Sequence, residues 1–206
     1  MAQFAKRYPL PIFLMTLVVI FAAVAAYLYW PRTPELPVIK KAADFSMQNV
    51  DGKTVTLQDM NGKAKLFYYY FASCPDVCPP TTFMLSQVQD MLKEKGVFGT
   101  DVNIVSITFD PKRDSLERLQ EWSQKNKADL SGWYFLRGDE AATANMMDEN
   151  GSKVIKDKDG NFTHTNYVTL VDQDGRIRKL INANDVSITP TQMAESIVKD
   201  VMSIIK

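Results

Sequence analysis

The chain has two cysteines, Cys74 and Cys78, with three residues between them in "SCPDVCPP". A pair at that spacing can close a disulfide, exchange one with another protein, or hold a metal ion on two thiolates. Pro75, Pro79 and Pro80 constrain the segment. A residue before proline is pushed out of the helical region, so Cys74 and Cys78 are both expected to be non-helical, in a shaped loop against a helix N-terminus. The positive end of that helix favours thiolate, the form that both redox exchange and metal binding need. An inert staple is the plainer alternative, but closing so short a loop removes little unfolded-state entropy and stabilises weakly.

Redox pairs of the thioredoxin kind have two intervening residues rather than three. Two thiolates form a soft, incomplete site that selects Cu(I), and a third ligand would improve it. Structural zinc wants four protein ligands, and the chain has one histidine to add. That histidine, His164, precedes a strand signal in "NFTHTNYVTLVDQDG". A lone histidine is more often an ordinary surface or core residue than a ligand. Its position argues for more, because the strand Asn166 to Asp172 is expected beside the strand leading into Cys74. Thioredoxin-like oxidoreductases place a cis-proline before that strand, whereas no proline occurs here between Pro111 and Pro190. Asp76, between the cysteines, adds negative charge that would favour a bound cation or discourage a second thiolate.

These residues need a scaffold, and the sequence describes one. "KLFYYYFA" (65–72) is apolar on both faces, as a central strand should be, and "VNIVSITFD" (102–110) is a second such run. Between them "PPTTFMLSQVQDMLKEKG" (79–96) has a proline for its first turn, an apolar stripe of Phe83, Leu85, Val88 and Leu92, and Gly96 as a stop. Asp114 or Ser115 caps a helix over 114–126, with Leu116, Leu119 and Trp122 on one side. A short strand (132–138) and a short helix (139–150) follow. Hairpins turn at Asp51-Gly52 and Asp174-Gly175, and a capped amphipathic helix (189–206) presents Met193, Ile197, Val201 and Ile204 on one face. The Lys- and Asp-rich "KVIKDKDGNFTH" reads as a solvated, mobile loop that positions His164 only when metal or a partner is present. Strand, helix, strand, helix, strand, hairpin and helix imply an α/β fold of three layers around a mixed sheet, with the cysteines at a strand end where a helix begins.

The first 30 residues differ in kind. Lys6 and Arg7 precede an uncharged run from Tyr8 to Trp30, long enough as a helix to cross a bilayer, with Tyr27, Tyr29 and Trp30 as an aromatic belt. The cations predict a cytoplasmic N-terminus and an exported remainder. A cleavable signal peptide is the rival, since "FAAVAAY" offers small-residue sites; the length of the run favours an uncleaved anchor. No Arg/Ser-rich leader precedes it, which points to a bacterial cytoplasmic membrane with the rest of the chain in the periplasm. "PRTPELPVIKKA" (31–42) reads as a stiff spacer, and 43–206 as the domain. Setting aside Lys6 and Arg7, 22 basic residues face 24 acidic ones, so nothing electrostatic favours nucleic acid. In an oxidising compartment the pair's default is a disulfide, and a thiol reductant must serve it if the reduced form is needed.

"FYYYFASCPDVCPPTT", "SITFDPKRDS" and "HTNYVTLVDQDGRI" together resemble the Sco/SenC family of membrane-anchored copper proteins involved in cytochrome c oxidase assembly, and the likeness covers roughly residues 43 to 205. The resemblance implies a thioredoxin-like fold with an N-terminal β-hairpin and an inserted segment. It also implies one copper ion, Cu(I) or Cu(II), on Cys74, Cys78 and His164. The expected partner is another copper protein or oxidase subunit II, whose binuclear copper centre the family is thought to metallate, or whose cysteines it reduces, or both. Asp110 and Asp114 match the family pattern as residues behind the site or facing a partner; a strand-terminal turn and a helix cap account for them equally well. Three functions follow: a copper-binding assembly factor working by ligand exchange, a thiol–disulfide oxidoreductase using Cys74 and Cys78 as its catalytic pair, and, third, a peroxidase of the peroxiredoxin type. The last wants Thr or Ser three residues before the cysteine and an arginine beside it, and the sequence offers neither in an obvious place.

Overall fold

The computed structural model describes residues 9–29, 36–74 and 77–205, with side chains in the first stretch described for 11–26. Two compact units meet in sequence between Pro34 and Glu35. In the first, α1 (Pro9–Tyr29) is a helix of 21 residues. Among the described residues no helix is long and apolar enough to cross a membrane.

In the second unit, β1 (Lys40–Lys41) leads to a hairpin of β2 (Ser46–Asn49) and β3 (Thr54–Thr56), then β4 (Ala64–Tyr70), α2 (Cys78–Glu94) and β5 (Val102–Thr108). The chain continues through α3 (Leu116–Lys125), β6 (Trp133–Arg137), α4 (Glu140–Glu149), β7 (Val154–Lys156) and β8 (Phe162–His164). It closes with β9 (Tyr167–Val171), β10 (Arg176–Asn182) and α5 (Pro190–Ile204). Eight strands form one mixed sheet in the order β1-β10-β9-β4-β5-β6-β2-β3, and β7 and β8 pair only with each other. The parallel strands β4, β5 and β6 are joined by the helices α2 and α3.

All seven residues of β4 are buried, which is why its sequence is aromatic on both faces. Alternation sends Leu66, Tyr68 and Tyr70 into the core under α2, α3 and α5, and Phe67 and Tyr69 into the opposite core with Met146 and Met147 of α4. Of the stripe read for α2, Leu85, Val88 and Leu92 are buried, but Phe83 is exposed and Met84 takes its place. Ser115 caps α3 by accepting from Arg118 N. Thr189 and Gln192 form a capping box on α5. β9 and β10 form the expected hairpin, with Gly175 at a positive φ of 77°.

Two local expectations are corrected. The segment read as a mobile loop is the β7–β8 hairpin, whose turn is closed by Asp157 Oδ1 accepting from Asp159 N and Asn161 N. Gly151, before that hairpin, has φ 82°, and an added Cβ would stand 2.9 Å from Leu180 Cδ1. In addition, Cys78 is the first residue of α2 rather than part of a non-helical loop, with Pro79 and Pro80 following in the first turn. The helical bonds that a first-turn proline cannot make are among those a helix start lacks anyway.

Candidate metal centre

The carboxyl end of β4 turns sharply after Tyr70. Cys74 N donates to Phe71 O at 3.1 Å, and the buried carboxylate of Asp114 accepts from Ala72 N at 2.9 Å. The same Oδ2 accepts from Thr108 Oγ1 at 2.5 Å, so Asp114 ties the ends of β4 and β5 together behind the cysteines. Asp114 is therefore not the helix cap. Burial pushes its carboxyl up, against the pull of the Thr108 and Ala72 hydrogen bonds. Asp110 is buried too, and it accepts from Arg113 Nε in a close ion pair.

Cys74 and Cys78 are both free thiols, 8% and 0% exposed. Burial pushes the Cys78 thiol up to about 12; contacts with the Phe71 backbone and the Tyr68 hydroxyl pull it down, and the neighbouring Cys74 pushes it up further. The helix end does not win: desolvation outweighs it, and the sequence-based expectation of a ready thiolate is overturned for Cys78. The Tyr68 hydroxyl faces the Cys78 thiol and Thr81, yet it makes no hydrogen bond of standard geometry. Tyr68 stacks on Tyr70 at 5.8 Å between centroids, and both phenols are held well above their usual range by burial.

His164 ends β8, and β9 pairs antiparallel with β4 as expected, Tyr68 opposite Val168. The imidazole packs on Phe109 at 4.9 Å and on Phe71 at 6.4 Å between centroids. Its Nδ1 lies 3.1 Å from Thr165 O. A carbonyl can only accept, so Nδ1 carries the proton and Nε2 keeps the lone pair that a metal would need. Phe71 packs against both cores, touching the cluster that holds the thiols and the rings around His164. Arg113 lies over Phe71 and Phe162, 5.5 and 5.4 Å from their centroids, and so bridges the cysteine strand to the hairpin. Asp76 lies outside the described residues.

Among the described residues, no three of His, Cys, Asp and Glu are gathered closely enough to hold a metal ion. The two thiols are brought together; His164 shares their end of the sheet through Phe71, and Asp110 and Asp114 lie behind. The donor chemistry of two thiols and an imidazole nitrogen with its lone pair free suits a soft monovalent ion better than a hard cation. Sequence reasoning missed Arg113, Tyr68 and the buried Asn150 and Asn166. Asn150 accepts from Ala43 N and donates to Tyr69 Oη, both at 2.8 Å, which anchors the base of the hairpin to β4. Only its place at a helix end hinted at it.

Comparison with known proteins places residues 35–202 within the SCO1/SenC family model. A SCO1/SenC family lipoprotein from Bacillus anthracis superposes with a TM-score of 0.72 at 31% identity, covering 81% of this chain and 96% of that one. BsSco, a member of the Sco family of cytochrome c oxidase assembly proteins in which a disulfide switch was identified, gives 0.70 at 27% identity, over 82% and 95% of the two chains. Bradyrhizobium japonicum ScoI with copper bound gives 0.61 at 28% identity, over 77% and 98%.

Proposed function

The chain belongs to the SCO1/SenC family, with a mixed α/β fold of the thioredoxin-like kind, and from that membership we propose that it is a membrane-anchored copper-binding assembly factor for the binuclear copper centre of cytochrome c oxidase. One copper ion is held by Cys74, Cys78 and His164. The observation that carries this is the pair of adjacent free thiols at the β4–α2 junction, with the one histidine on the segment that enters the neighbouring strand. The copper-bound relative supports the choice of metal.

Bound copper supplies a transferable, thiolate-ligated cation. The protein's own residues do the rest. Cys74 and Cys78 give up their protons as ligands, and Cys78, with its thiol near 12, yields its proton only to a strongly competing cation. His164 presents Nε2 because Thr165 O fixes the other nitrogen. Asp114 holds the Ala72 amide and so the approach of the chain to Cys74. A partner's thiolates then replace these ligands one at a time, so that only metal–ligand bonds change. Oxidation of Cys74 and Cys78 to a disulfide removes both thiolates, and a thiol reductant restores them.

The uncharged run through α1 anchors the chain in a bacterial cytoplasmic membrane with the domain in the periplasm. Protease added to spheroplasts tests this: the domain is expected to be cleaved, and full protection contradicts it. Reduction of the partner's cysteines by Cys74 and Cys78 is the alternative. His164→Ala separates the two, since it should cost copper affinity heavily and thiol–disulfide exchange little.

A further inference from the structure

The cysteines and His164 reach one end of the sheet from distant parts of the chain, and a side chain without a role in ligation joins them there. Asn166, two residues past His164, is 3% exposed. Its Nδ2 donates to Thr81 Oγ1 at 3.0 Å and to Asn184 Oδ1 at 2.8 Å. Thr81 lies in the first turn of α2, three residues beyond Cys78, and its hydroxyl donates onward to the carbonyl of Val77 at 2.8 Å. The main-chain carbonyl of Asn166 accepts from Ala183 N at 2.9 Å. Its Oδ1, by contrast, is buried with no hydrogen-bond partner. An orphaned buried acceptor costs about 1–3 kcal/mol, which a β-branched apolar residue at the head of this strand would avoid. What the amide offers in return is its two donors, aimed at the cysteine helix and at the loop after β10.

The tether is short on both sides. Two residues of extended chain reach at most about 7 Å, and three residues of helix rise about 4.5 Å. The Asn166–Thr81 hydrogen bond therefore fixes the backbone of His164 within a small radius of Cys78. Upstream, the β7–β8 hairpin makes no strand pairing with the main sheet, and Phe162 packing on Phe71 and Phe109 holds it there without a hydrogen bond. The three proposed ligands are not gathered into a cluster, and the Asn166–Thr81 hydrogen bond is the nearest hold between the His164 segment and the Cys78 helix.

We propose that Asn166 is a positioning residue of the metal centre, its amide holding the His164 segment to the first turn of the Cys78 helix and setting the reach of the imidazole toward the thiols. This rests on the copper reading above. The test uses the whole reduced chain and the variants Asn166→Leu, which keeps the bulk and removes both donors, Thr81→Val, which removes the acceptor, and the two combined. Amide hydrogen exchange at 162–165 is measured without metal, and Cu(I) affinity by competition, in the wild-type and His164→Ala backgrounds. Each single change should speed exchange and weaken Cu(I) binding about tenfold, the size typical of residues that orient ligands. The double variant should be no worse than either single one, because both break the same bond. In the His164→Ala background Asn166→Leu should alter affinity less than about twofold. Unchanged exchange and affinity overturn the proposal, as do additive losses or an equal loss without His164, which would mark a merely structural role. If the wild-type chain binds no copper, the copper reading falls and exchange alone decides: faster exchange supports the tether, and unchanged exchange overturns it. Should Asn166→Leu fail to fold, Thr81→Val carries the same comparisons.

Discussion

The behaviour of Cys78 and Asp114 shows how burial, more than motif, sets the chemistry of single residues here. The Cys78 thiol stands near 12, so at neutral pH a metal must displace its proton. Below that value each unit of rise in pH therefore adds about tenfold to metal affinity through this one group. Competition titrations at pH 7 and pH 8 should show affinity rising by at least about that factor; a flat profile would mean that Cys78 is not a ligand. Asp114 accepts from a buried amide and a buried hydroxyl at once. Asp114→Ala orphans both donors and should cost about 2–3 kcal/mol in urea unfolding, while Asp114→Asn, which still has a carbonyl to accept with, should cost less. Equal losses for the two variants would show that the side chain's charge, not its accepting oxygen, is what matters there.

At the scale of elements, the β7–β8 hairpin is the part on which the site most depends. It is held to the rest of the unit by Arg113 over Phe71 and Phe162, and by Lys156 donating to Glu140 at 2.6 Å. Both holds are partly exposed, so each is weak on its own. Lys156→Met should speed amide exchange through 154–164 while lowering global stability by less than about 1 kcal/mol; a large global loss would place Lys156 in the fold rather than in the hold on the hairpin. The main elements were legible because their signals are local: unbroken apolar runs in β4 and β5, a first-turn proline in α2, Asp174-Gly175 in the β9–β10 turn. The hairpin was not, because "KVIKDKDGN" has the charge of a loop and its pairing depends on an Asx turn at Asp157 that composition hides. Cys78 entered the helix against the preference of a pre-proline residue, since packing under Tyr68 overrides a local bias. Cys74 and Cys78 stand out in the sequence by type and spacing, whereas His164 enters as a candidate through its place before a strand and through the family resemblance. Asn166, Asn150 and Arg113 do not stand out, because what distinguishes them is a partner far away in sequence.

At the scale of the whole molecule, the site sits at one end of a sheet whose other end carries an unusual burden. Lys65 in β4 is fully buried, its ammonium donating to Asp172 O at 3.3 Å. Burial lowers it to about 8, against the attraction of Asp172 and Asp174. Between that value and the 10.5 of an ordinary lysine, the unfolded chain holds a proton that the folded one has lost, so stability rises with pH across this window. Lys65→Met should therefore be more stable than the wild type at pH 7, with the gap narrowing by pH 9; urea unfolding of the reduced protein at the two values checks it, and a constant gap would contradict it. The proposed copper centre has three ligands and exists only in the dithiol state. Copper titration of the reduced whole chain, of its Cys74–Cys78 disulfide form, and of the Cys74→Ser and His164→Ala variants tests it most directly. One copper ion per reduced chain is expected, with no tight binding when oxidised or in Cys74→Ser, and a loss of at least about tenfold in His164→Ala. Undiminished affinity in His164→Ala, or tight binding by the disulfide form, would contradict it.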